Sequence, residues 1–101
     1  MDRIVNLAEV VAEVVASYER PSPMATMYYV HDEAKHVDLV LVIPHDRQIE
    51  PHIVVMTRLV GARVIVEIDT TDHPLEEALL ASGITRTQVI LAYAGESISG
   101  G

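Results

Sequence analysis

The sequence predicts an α+β domain: an N-terminal helix packed on a mainly antiparallel five-stranded sheet, in the order α-β-β-β-β-α-β. Three observations carry this. Polar residues recur every three to four positions from Asp2 to Arg20, which is the period of a helix. Four aliphatic runs then follow as two pairs, each pair joined by a short turn, as hairpins are. Finally, a short apolar segment opens at Pro74 and closes at Gly83, ahead of a last aliphatic run at Val89–Tyr93.

Taken in order, the first helix presents Ile4, Val5, Leu7, Val10, Val11, Val14, Val15 and Tyr18 around most of its circumference. Such a helix is buried on more than one side. Pro21 and Pro23 stop it. Strands at Met24–His31 and His36–Ile43 form the first hairpin, across Asp32-Glu33-Ala34-Lys35. In the second of these, Val37, Leu39, Leu41 and Ile43 face one way, with His36 and Asp38 on the other side. After a polar loop from Pro44 to Pro51, His52–Leu59 and Arg63–Ile68 make a second hairpin around Val60-Gly61-Ala62. Pro74–Ser82 reads as a helix, with Gly83 in a left-handed cap and Ile84 closing over its last turn. The twenty residues between Ile68 and Val89 suffice for a crossover to the final strand. Residues 94–101 are expected to form a loose tail. The chain reads as a single domain over 1–101.

Composition narrows the function. The chain has 101 residues, half of them hydrophobic, with no Phe, Trp or Cys. Lack of cysteine removes disulfides, thiolate catalysis and zinc-thiolate sites. The formal net charge is −8, and the seven Lys and Arg residues are scattered. Autonomous nucleic-acid binding needs clustered cations to displace counterions, so it is not expected, whereas a basic protein partner fits. No membrane span is expected, and Asp2, Arg3, Asn6 and Glu9 interrupt the first apolar run, unlike a signal peptide. The expected location is the cytoplasm.

The densest polar stretch is Glu67-Ile-Asp-Thr-Thr-Asp-His-Pro-Leu-Glu-Glu77, with five carboxylates. Pro74 pre-sets the first helical turn and keeps His73 out of it, so Thr71, Asp72 or His73 caps the helix. Glu76 and Glu77 then meet the positive helix end. The competing reading is a small metal- or ligand-binding site or enzyme built on Asp69, Asp72 and His73, although no regular ligand spacing accompanies them. His31 and His36 flank a hairpin turn and could be cross-strand neighbours. No catalytic residue and no cofactor are assigned. Neither a nucleophile pattern nor a glycine-rich phosphate loop is present.

Asp69-x-Thr71-Asp72, followed by Leu75 and Leu79, Gly83-Ile84 and Val89-Ile-Leu-Ala-Tyr93, resembles the XisI family, the controlling factors of fdxN element excision. His36-Val-Asp-Leu39 and the helix from Ile4 to Tyr18 extend the resemblance to residues 4–93. The chain resembles a divergent, short member: Ile43-Pro44 stands where the family usually has Gly-Trp, and Ile65 and Thr85 where it often has Trp and Pro. The resemblance implies a non-enzymatic controlling factor. Its implied partner is a XisH-like protein of nuclease fold, in site-specific excision of a DNA element or as that protein's regulator. No catalytic residue carries over. Asp69, Thr71, Asp72, His73 and Gly83 are the candidate interaction or structural seam.

A sheet covers only one side of the first helix, so Val5, Val10 and Ala12 would remain as an apolar patch. The chain is therefore expected to self-associate, most simply as a twofold dimer, or to bury that patch on its partner.

Overall fold

The computed structural model describes residues 6–97. Helix α1 spans Leu7–Ala16, strands β1 Ala25–Asp32, β2 Val37–Pro44, β3 His52–Val60 and β4 Arg63–Asp69, helix α2 Leu75–Ala81, and strand β5 Val89–Leu91. The five strands lie in the order β1-β2-β3-β4-β5. The first three pairings are antiparallel and β4–β5 is parallel, so the chain does cross over through α2 before its last strand. The α+β class and the element order are those the sequence predicts.

Boundaries differ for local reasons. Asn6 is extended, and its side-chain oxygen accepts from the N–H groups of Ala8 and Glu9, so it is the N-cap and the helix begins after it. Residues 2–5, which the periodicity includes in the helix, lie outside the described residues. At the other end Ser17 closes α1, ahead of the prolines. The last strand is shorter than Val89–Tyr93, because Ala92–Ala94 turn into a 3-10 segment. The expected loose tail is held at its start: Glu96 accepts from the Leu91 N–H at 2.8 Å and from Arg86 at 2.8 Å. Residues 98–101 lie outside the described part.

Both helices pack on the same side of the sheet. The core there joins Val11, Val14 and Val15 of α1 and Leu75 and Leu79 of α2 to Val40, Val55, Val64, Val66 and Val89 from the strands. Five of these positions are β-branched valines on alternating strand positions, which suits a pleated surface under a helix. Ile84 closes the helix layer from below. Its N–H reaches the Leu79 carbonyl at 3.1 Å, the Gly83 N–H reaches Leu80, and Gly83 takes φ 100°, so the left-handed cap is present. Val10 is half-buried and packs against this core. The apolar circumference of α1 thus finds cover on two sides, from the sheet and from α2.

The opposite side of the sheet is apolar too. The period-two alternation in β2 holds, but the covered side carries Asp38, Val40 and Val42, and Val37, Leu39, Leu41 and Ile43 point away from the helices. Register carries this open side across the strands, from Tyr28 and Val30 through Leu41 and Leu39 to Met56, and from Arg58 through Ile65 to Ile90. Among the described residues no helix lies over its β1–β3 part, whereas at the other end Ile65 and Ile90 are already buried.

At its free edge β1 is partly closed. The Tyr29 N–H points outward and donates to Glu19 Oε2 at 3.0 Å. No described helix is long and apolar enough to cross a membrane.

Candidate functional site

The polar stretch after β4 is a structural joint. Asp69 Oδ2 accepts the Leu75 N–H at 2.7 Å, at the start of α2, and Asp69 Oδ1 accepts the Thr71 N–H at 3.0 Å. The Thr71 hydroxyl lies 2.8 Å from both Asp69 Oδ1 and the His73 carbonyl. Tyr18 at the end of α1 donates to that same carbonyl at 2.6 Å. Burial first, and then the nearby Asp69 charge, pushes the Tyr18 phenol pKa up, so it stays a donor. The joint ties α1, β4 and α2 together.

This corrects the expected cap. None of Thr71, Asp72 or His73 caps α2 with its side chain; Asp69, six residues before Leu75, does so across the turn. Distance in sequence hid it, because capping is ordinarily read from the adjoining residue. Asp72 and His73 are exposed, and Gly83 sits at the far end of α2. Asp69, Asp72 and His73 do not converge: among the described residues no three His, Asp or Glu side chains are placed to hold one metal ion. Of the remaining acids, Glu67 pairs with Arg58 at 2.5 Å and Glu76 with Arg86 at 2.5 Å.

An Asp69→Ala protein is expected to lose about 1–2 kcal/mol of stability, the usual cost of a lost cap. Urea denaturation in metal-free buffer measures it. A loss that appears only when a divalent cation is added would instead restore the metal reading of this stretch.

A second cluster was invisible in the sequence. Asp38 is 2% exposed, and its Oδ1 accepts from Tyr29 Oη at 2.5 Å and from His31 Nδ1 at 2.6 Å. Burial, then the bond to Asp38, raises the Tyr29 pKa strongly, which fixes the phenol as the donor. Register explains the meeting, since Tyr29, His31, Asp38 and Val40 lie on one side of the first hairpin. His36 does not face His31; it sits in the turn at φ 54°, and the partner of His31 is Asp38. Thr57, opposite Asp38 on β3, is fully buried with no hydrogen-bond partner for its hydroxyl, so both bonds to Asp38 come from β1. A cavity of about 260 Å³ lies alongside, between the start of α1 and the hairpin turn, lined by Asn6, Glu9, His31 and His36 among others. The bond to Asp38 orients the His31 ring, but no serine, threonine or lysine lines that cavity to be activated by it.

What remains distinctive is how charge is distributed. Helices α1 and α2 carry Glu9, Glu13, Glu76 and Glu77 and not one lysine or arginine. Glu9, Glu13 and Glu77 are exposed. The open side of the sheet is the reverse: its charges are few, and Arg58 and Glu67 neutralise each other. The molecule presents one acidic surface and one apolar, near-neutral surface.

Comparison with known proteins agrees with this architecture. A family model described as XisI protein matches residues 1–99. Among solved structures, the chain is similar to the fdxN element excision controlling factor XisI of Anabaena variabilis ATCC 29413, at 21% identity and a TM-score of 0.70, over 85% of this chain and 88% of that one. It is also similar to a XisI-like protein of the same organism, at 14% identity and a TM-score of 0.77, over 87% of both chains. At such identities the likeness is one of fold. No curated protein matches the chain.

Proposed function

Because this chain belongs to the XisI family, we propose that it is a non-enzymatic controlling subunit. It acts by protein contact on a XisH-like partner of nuclease fold, in the excision of a DNA element or as a brake on that partner. The observation that carries this reading is the acidic helix layer. Glu9, Glu13 and Glu77 are exposed there with no cation on either helix, Glu76 being paired with Arg86, and they make a surface of one sign. Such a surface repels DNA phosphates and suits the basic face of a protein that acts on DNA. The Asp69 and Asp38 carboxylates are meanwhile occupied in holding elements together.

Co-expression with a XisH-like protein, followed by size exclusion, tests this. A joint peak is expected at micromolar concentration in low salt, weakening as salt screens the contact. Glu13→Lys with Glu77→Lys, both exposed positions, should weaken it about tenfold or more, as like charges oppose across the contact. Separate elution of the unmodified proteins in low salt would refute the proposal.

A further inference from the structure

We propose that the open side of the sheet is a homodimer interface, with a second copy of this chain packed face to face across it. The inference is independent of the nuclease partner, and it moves the self-association surface from α1 to the strands.

Antiparallel sheets with one solvated side alternate apolar and polar residues. This sheet does not. Both helices occupy one side, yet the other side presents Tyr28, Val30, Leu39, Leu41, Ile43 and Met56. At its rim Tyr28 is 47% exposed and Val30 44%. A contiguous apolar patch of this kind marks an interaction surface.

Size and charge select the occupant. The exposed part of this side is β1 to β3, since Ile65 on β4 and Ile90 on β5 are buried; three strands at about 4.8 Å spacing and about 25 Å length span roughly 360 Å² in projection. A face studded with side chains exposes more than its projection, which brings it towards the roughly 600 Å² per partner at the low end of specific interfaces. Charge argues for a like copy. In a chain of net charge −8, this is the side where charge cancels, through the Arg58–Glu67 pair. A basic partner gains nothing there. Two copies stacked on this side bury apolar surface on apolar surface and keep their acidic helix layers facing outward, as far apart as the assembly allows. Two twisted sheets stack this way with their strands about 30° apart, and a twofold axis makes the contact self-complementary.

Light scattering on the purified full chain tests the proposal without any partner. The expected mass is twice 11.1 kDa. Leu41→Glu places a charge in the middle of the contact and should weaken dimerisation at least a hundredfold, giving a monomer with an unchanged circular-dichroism spectrum. If that variant fails to fold, Tyr28→Glu with Ile43→Glu, at exposed rim positions, reads the same contact. Since the chain has no cysteine, Leu41→Cys supplies a separate readout: copper-catalysed oxidation should yield a covalent dimer, and Glu13→Cys on α1 should not. A monomer for the unmodified chain at tens of micromolar would overturn the proposal. So would a dimer that survives both sheet-face substitutions, or one dissociated by Val10→Asp instead.

Discussion

A Leu79→Ala protein is expected to lose about 3 kcal/mol of folding stability, within the roughly 2–5 kcal/mol range for truncating a buried leucine. Leu79 is 0% exposed and belongs to the cluster that joins α1, α2 and the helix side of the sheet. That cluster is mainly valines, three on α1 and five on the strands, whose stiff side chains resist collapsing into the space left behind. A domain of 101 residues has about 5–15 kcal/mol in total, so the loss is a large share. Thermal melting should fall by roughly 12–24 °C, at about 4–8 °C per kcal/mol. Leu80, the next residue, is 38% exposed, and Leu80→Ala should cost under about 1 kcal/mol. Equal losses at the two positions would show that α2 is not seated as described.

Asp38→Ala is expected to cost about 2 kcal/mol. Removing the carboxylate leaves two donors, Tyr29 Oη and His31 Nδ1, without their acceptor. Hydrogen bonds to a charged group contribute about 1.5–3 kcal/mol each. Three effects reduce the sum. Tyr29 and His31 are not fully buried, so water can replace part of what they lose. His31 is a full ion-pair partner only when protonated. The mutation also removes a carboxylate that was costly to desolvate. Asp38→Asn separates these contributions. It lifts the charge but keeps an oxygen that can accept both donors, as Asp38 Oδ1 does now. Bonds to a neutral oxygen are weaker than bonds to a carboxylate, and the amide NH2 adds donors that need partners, so a loss of about 1 kcal/mol is expected. Chemical denaturation of the two variants alongside Tyr29→Phe reads out the cluster. If Asp38→Ala were neutral, the carboxylate would merely be tolerated under the helix layer.

The contrast between these two sites shows what a single chain displays. Leu79 was legible, because a helix between a proline and a capping glycine has an obvious apolar stripe, and the φ of Gly83 agrees. The hairpins were legible for a similar reason: the turns at 33–36 and 61–62 are flanked by aliphatic runs whose length suits strands. The inward direction of Asp38 was not. Alternation in β2 separates two sets of side chains correctly, but it does not say which set the helix covers when both are apolar apart from one aspartate. That choice depends on where α1 lands, a contact between distant parts of the chain. Asp69 was named in the right stretch, the seam, but the cap of α2 was sought in Thr71, Asp72 or His73. The partner of Asp69, Leu75 N–H, lies six positions on, beyond the spacing at which caps are recognised. The first helix was read as leaving Val5, Val10 and Ala12 as a patch; Val5 lies outside the described residues, Val10 and Ala12 are half-buried, and α2 flanks α1 with cover that periodicity alone could not foresee.

The Glu19 carboxylate on the Tyr29 N–H decides the dimensionality of any growth. A sheet offers two routes to more copies. Stacking on a side stops after one addition, because the newcomer hides the same side of both molecules. Addition at an edge never stops, because each new strand exposes another edge like the last, and that is the geometry of a fibre. One edge here is β5, only three residues long and ending in a 3-10 turn. The other is β1, eight residues long, an adequate template were its outward N–H groups all free. Glu19 occupies one in the middle of the strand and sets a negative charge where an incoming backbone would lie. It acts as a chain terminator in the polymer chemist's sense, opposing addition of a further strand at that edge.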